Sequence, residues 1–255
     1  MIFDSHAHYN DKRFDDIRDD IITEVLNGGI NRIMNVGTNV ESSLESITLA
    51  EKYENIYASA GVHPHDTEKI HDEKQTIDEI YKLLQHEKVM ALGEIGLDFH
   101  YDFSARDIQM KWFDIQMKIA ADTGYPVIIH DREAHGACFD MACKYPGVTG
   151  IFHSYSGSSE MAAELIKHGW YISFSGVITF KNAAKILEVV KTIPLDRLLI
   201  ETDCPFLAPH PMRGKLNHSG YIIYTAEKAA ELHGVSFEEM CGVTYSNACA
   251  VYKIG

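Results

Sequence analysis

The chain has 255 residues, of which 45% are hydrophobic, 10% aromatic and 24% charged, and its formal net charge is −14. These proportions belong to a globular protein and exclude a disordered, collagenous or disulfide-scaffold chain. The acidic balance counts against DNA wrapping, yet it suits a site in which clustered carboxylates hold cations.

Five cysteines, an odd number with no Cys-x-x-Cys pair, are expected to be reduced and mostly in the core. No run of about 18 apolar residues occurs, so no membrane partner is expected. Asp4 and His6 stand where a signal peptide would need its apolar stretch, which predicts a chain that stays in the cytoplasm. Nothing in the sequence suggests a higher oligomer, and a monomer is expected.

Apolar runs rich in β-branched and aromatic residues recur at 2–4, 32–36, 56–62, 89–92, 127–129, 149–152, 170–174 and 198–200, and each reads as a buried strand. Between them lie segments of helical spacing, clearest around Phe113, Met117, Ile119 and Ala120 and over 161–166. Eight strands in 255 residues give about 32 residues per unit, the size of a βαβ repeat. The expected fold is therefore α/β, a single (β/α)8 TIM barrel over 1–255, with a doubly wound open sheet as the alternative. Two last helices, 221–233 and 237–252, would close the ring and pack beneath it.

Several of these runs lead into a possible metal ligand. The first leads into Asp4-Ser-His6-Ala-His8, the fourth into Gly93-Glu94, the fifth into His130, the sixth into His153 and the eighth into Glu201-Thr-Asp203. Strand C-termini form the active face of a parallel barrel. In His6-Ala-His8 the alternation of an extended chain points both imidazoles to one side. Glu94 leaves an apolar strand, where a carboxylate is costly unless something positive balances it. His130 or His153 alone could be a hydrogen-bonded core histidine. Four imidazoles and two carboxylates, however, exceed what one catalytic ion needs, and suit two ions about 3.5–4 Å apart with a shared carboxylate. One ion would acidify a water and the other neutralise a leaving oxygen, so the chemistry read from the residues is hydrolysis. No GxGxxG, Walker or GxSxG motif supports another chemistry.

Together with Gly61-Val-His63-Pro-His65, Gly93-Glu-Ile-Gly-Leu-Asp98, Pro126-Val-Ile-Ile-His130, Arg132, Phe152-His-Ser154 and Glu201-Thr-Asp-Cys-Pro-Phe-Leu207, these pieces resemble the TatD family of metal-dependent hydrolases and deoxyribonucleases. The resemblance implies that His6, His8, Glu94 and Asp203 surround one ion, and that Glu94 bridges to a second held by His130 and His153. It also implies that Asp203 orients or deprotonates the attacking water, and that His65 and Arg132 meet a substrate phosphate. His63 could equally be part of a rigid turn at Pro64. Asp98 and Glu201 could fix imidazole tautomers from behind, with helix capping as the alternative for Asp98. Where the family carries Asn-Glu-Pro, this chain has Asn217-His218-Ser219, which puts that loop's shape in question.

The expected function is a deoxyribonuclease that cleaves phosphodiester bonds at DNA ends with two divalent cations, of which Zn, Mg, Mn, Ni and Co are all compatible with these donors. The alternatives are a metal-dependent ester or amide hydrolase, such as an aminoacyl-tRNA deacylase or a small-molecule amidohydrolase, and a non-catalytic barrel with structural metals.

Overall fold

The computed structural model describes residues 1–255. Its strands are β1 (Phe3–Ala7), β2 (Arg32–Val36), β3 (Ile56–Ala60), β4 (Val89–Asp98), β5 (Val127–Arg132), β6 (Gly150–Phe152), β7 (Tyr171–Phe174) and β8 (Leu198–Ile200). Its helices are α1 (Arg18–Asn27), α2 (Val40–Lys52), α3 (Glu73–Leu83), α4 (Arg106–Thr123), α5 (His135–Lys144), α6 (Ser159–Lys167), α7 (Ala184–Thr192), α8 (Ile222–His233) and α9 (Phe237–Tyr252). The strands pair in parallel in the order β1 to β8. Just past β8 the chain turns back onto β1, where Asp203 N donates to His6 O at 2.9 Å and His8 N donates to Cys204 O at 2.7 Å. The sheet thereby becomes the expected (β/α)8 TIM barrel.

Residue alternation sorts the core into two clusters. Val127 and Ile129 of β5, and Leu198 and Ile200 of β8, join the larger cluster between sheet and helices. Their neighbours Ile128 and Leu199 join Phe3, Met34, Ala91 and Ile151 in a smaller one, with Ala248, Val251 and Tyr252 of α9. Strands with a helix layer outside and a filled lumen inside are apolar on both faces, which is why they read as continuous hydrophobic runs. The last helix seals the lumen from below. Tyr252 Oη donates to Ser5 O at 2.7 Å, and the Asn247 amide donates to Leu195 O and Leu198 O at 2.7 and 2.9 Å.

Three strands run further than their apolar patterns: β1 to Ala7, β4 to Asp98 and β5 to Arg132. Hydrophobicity stops where the side chains become polar, while the backbone ladder continues because buried N–H and C=O groups still need partners. His6, Glu94 and His130 thus sit within strands rather than beyond their ends. No helix is long and apolar enough to cross a membrane.

Candidate metal centre

Two irregularities in the ladder aim the central side chains. The β1–β2 register shifts between Asp4 and Ala7, and the β4–β5 register shifts between Leu92 and Ile95. Extra residues on one strand of a pair re-aim the side chains there, and such bulges are common beside active sites. The second bulge depends on Gly96, whose φ is 134° and where a Cβ would lie 2.1 Å from His130 O. Glu94 within this bulge is anchored by its own backbone, with its N–H donating to Gly37 O at 2.7 Å, while Ser59 Oγ donates to Gly93 O at 2.7 Å.

Glu94 is 3% exposed and its two oxygens face two groups of donors. Oε2 lies 3.4 Å from His6 Nε2 and 3.6 Å from His8 Nε2, and Asp203 Oδ1 stands 3.7 and 3.5 Å from the same two nitrogens. Oε1 lies 2.7 Å from His130 Nδ1, 2.9 Å from His153 Nε2 and 3.5 Å from His63 Nε2. An ion bound tetrahedrally at about 2.0–2.2 Å holds neighbouring donors roughly 3.3–3.6 Å apart, close to the separations at Oε2, whereas the 2.7 and 2.9 Å contacts of His130 and His153 at Oε1 are hydrogen-bond lengths that an ion would have to widen. His6, His8 and Asp203 form one group compatible with an ion, His6, Glu94 and His153 form another, and His63, His65 and His130 form a third.

The far nitrogens of three imidazoles face acceptors. His8 Nδ1 donates to Val36 O at 3.0 Å, His130 Nε2 to Asp98 Oδ2 at 3.2 Å and His153 Nδ1 to Glu201 Oε1 at 3.2 Å. A proton held on the far side leaves the near nitrogen's lone pair aimed at the Glu94 carboxylate, an arrangement that repels unless a cation or further protons lie between. Glu201 Oε1 also accepts from Ser154 N at 2.9 Å. Asp203 adopts φ 53° and Ser154 φ 41°, left-handed conformations of the kind that cluster at functional sites.

The electrostatics agree. Burial alone would raise the Glu94 carboxyl, but the surrounding imidazoles, His153 foremost, hold it well below the usual carboxylate range. At Asp203 burial is likewise outweighed, chiefly by the contact with His8, and the group stays acidic. Burial would lower His153, yet Glu94 and Glu201 raise it well above an ordinary imidazole. His6 and His63, by contrast, are lowered by burial, His63 to about 4. The centre attracts positive charge, as protons or as metal.

The structure brings His6, His8, Glu94, His130, His153 and Asp203 together at one end of the barrel. Asp98 caps no helix; it is fully buried and takes His65 Nε2 at 2.7 Å and His130 Nε2 at 3.2 Å on one oxygen, and the backbone N–H groups of His100 and Tyr101 on the other. His63 serves the turn at Pro64, accepting from His65 N on Nδ1 at 3.1 Å, while its other nitrogen joins the donors around Glu94 Oε1. Arg132 is exposed, with its guanidinium 4.6 Å from the Tyr101 ring centroid. Asp4 does not turn to the centre: it accepts from Thr202 N, Thr202 Oγ1 and Ser219 Oγ at 2.9, 2.5 and 2.7 Å, tying β1 to the chain that carries Asp203. Ser219 thereby holds the loop that departs from the family pattern, with Asn217 donating to Thr202 O at 2.9 Å. Sequence reasoning missed Tyr101, Phe103 and Phe206 at the cavity mouth, because loop aromatics follow no periodicity.

Comparison with known proteins places this constellation in a family. The model of TatD-related DNases matches residues 3–253. The metal-dependent hydrolase YabD of Bacillus subtilis is 43% identical over 257 residues and covers 100% of both chains. The Escherichia coli protein named 3'-5' ssDNA/RNA exonuclease TatD is 30% identical, with 99% of each chain covered. Among solved structures, YJJV, a TatD homologue from E. coli, superposes with a TM-score of 0.92 at 27% identity, covering 100% of this chain and 98% of the other. With the family model spanning nearly the whole barrel and its rim of imidazoles and carboxylates, this chain belongs to the TatD family of metal-dependent hydrolases.

Proposed function

We propose that the protein is a phosphodiesterase that binds two divalent cations per chain and removes nucleotides from the ends of single-stranded DNA. The observation that carries this reading is Glu94, whose two oxygens face separate donor groups, His6, His8 and Asp203 near one and His130, His153 and His63 near the other. In this reading His6, His8, Asp203 and Glu94 hold the first cation, and Glu94, His130 and His153 hold the second. Zn, Mn, Mg, Ni and Co all suit imidazole and carboxylate donors. When bound, such a pair supplies an acidified water and neutralises charge on the leaving oxygen.

The chain's own groups do the rest. Asp203, kept acidic, would orient the attacking water and accept its proton. Asp98 and Glu201 fix the rings of His130 and His153 so that the donors do not rotate away. His65, held by Asp98 through Nε2, and the Arg132 guanidinium meet the non-bridging phosphate oxygens. An open cavity of about 1880 Å³ lies over the centre, larger than the 300–1,000 Å³ usual for small ligands, and it admits a strand end. A family relative bearing the name of a single-strand exonuclease supports the same substrate class.

The test is product analysis. Metal-loaded protein incubated with a labelled single-stranded oligonucleotide is expected to release mononucleotides progressively, and to leave aminoacyl esters and cyclic amides intact. Turnover of the acyl substrates with an untouched oligonucleotide would refute the proposal.

A further inference from the structure

Six large hydrophobic side chains are exposed in this fold, and three of them, Tyr101, Phe103 and Phe206, line the cavity over the metal centre. Scattered exposed apolar residues need no explanation, but three aromatics at one mouth do. Tyr101 and Phe103 lie nearly parallel, at 7°, with ring centroids 5.2 Å apart, and both meet His65 edge-on at 5.7 and 4.8 Å. Phe206 meets His8 edge-on at 6.2 Å. One group therefore adjoins the Asp98–His130 side of the centre and the other adjoins the His8–Asp203 side.

Each group also carries an arginine. The Arg132 guanidinium lies 4.6 Å from the Tyr101 centroid, and that of Arg13, which is held by both carboxylate oxygens of Asp11 at 2.8 Å, lies 4.0 Å from the Phe206 centroid, so that only Arg132 offers an unpaired charge to a phosphate. A flat apolar ring beside a guanidinium matches the two parts of a nucleotide, a planar base and an anionic phosphate. Phe103 is 64% exposed and Phe206 45%, so both keep ring surface open to a ligand.

We propose that Tyr101–Phe103 and Phe206 are two base-stacking subsites, each taking the nucleobase on one side of the scissile phosphate. This rests on the nuclease reading above and goes beyond it by assigning the residues that grip the strand. Stacking needs no particular base edge, so the subsites would recognise a single-stranded end with little sequence preference.

The experiment compares a short single-stranded oligonucleotide with the same strand made abasic at its two terminal positions, using metal-loaded wild type, Phe103→Leu and Phe206→Leu. Leucine retains apolar bulk and removes the flat face. Wild type is expected to show a KM roughly a hundred-fold higher for the abasic end, about ten-fold for each of the two stacked bases lost. Each leucine variant should raise KM for the intact end toward the abasic value while leaving the abasic KM in place. A variant that keeps the wild-type KM ratio removes its subsite, and a wild type indifferent to abasic ends overturns the proposal while the nuclease reading stands. Failure of wild type to cleave either strand would overturn both.

Discussion

A carboxylate at 3% exposure would take up a proton if burial acted alone, and Glu94 stays ionised because imidazoles converge on it from β1, β3, β5 and β6 or the turns just beyond them. Asp4 shows the opposite outcome in the same barrel. It is fully buried, its partners are hydroxyls and an amide rather than cations, and burial raises it from an ordinary 3.8 to about 6. A carboxyl raised in the folded state contributes stability that is complete below its ordinary value and lost as pH rises through the folded value. For Asp4 in the metal-free protein that loss is roughly 3 kcal/mol between about pH 4 and 7. Asp4→Asn has nothing to titrate, so its unfolding free energy should gain on wild type by about that amount over this interval. Denaturant titrations of the two proteins at several pH values measure it, and a constant difference would contradict the assignment. The sequence revealed Glu94, His130 and His153 because each breaks a hydrophobic run. It assigned no role to Asp4, because a bulge decides which way the start of the Asp-Ser-His-Ala-His segment points, and composition says nothing about bulges.

At the level of elements, strand and helix order was legible because two-sided burial leaves long apolar runs, while the strand ends were not. Of the three strands that outrun their apolar patterns, β1 and β4 contain register shifts, and β5 is extended alongside β4. Gly96 makes the β4 shift sterically possible, which predicts a graded result against Gly147, whose φ is 99° but whose missing Cβ would meet nothing within 4 Å. Gly147→Ala should cost about 1 kcal/mol, the conformational penalty alone. Gly96→Ala carries that penalty and also drives a methyl into His130 O, for a total of about 3 kcal/mol or more and a displaced Glu94. Chemical denaturation and metal content of the two variants check this. Equal losses would show that β4 absorbs the methyl without moving the centre.

For the molecule as a whole, a net charge of −14 surrounds a cavity whose cations are few and local, including Lys12, Lys69, Arg132 and Lys185. Affinity for a polyanion then comes from the centre and its rim rather than from a basic track. KM for a single-stranded oligonucleotide should rise less than about ten-fold between 50 and 200 mM salt, whereas a protein making six to ten phosphate contacts loses about 10³–10⁵. A steep slope would point to a long electrostatic path along the barrel face. The barrel class was legible from eight regularly spaced apolar runs; the cavity rim was not, because its residues lie in loops that only the closed ring brings side by side.

If one carboxylate joins two cation positions, elemental analysis of wild type against Glu94→Ala, with oligonucleotide turnover measured on the same samples, will show it. Two divalent ions per wild-type chain, at most one in the variant, and loss of nearly all turnover are expected. A variant that keeps both ions and cleaves at the wild-type rate would contradict it.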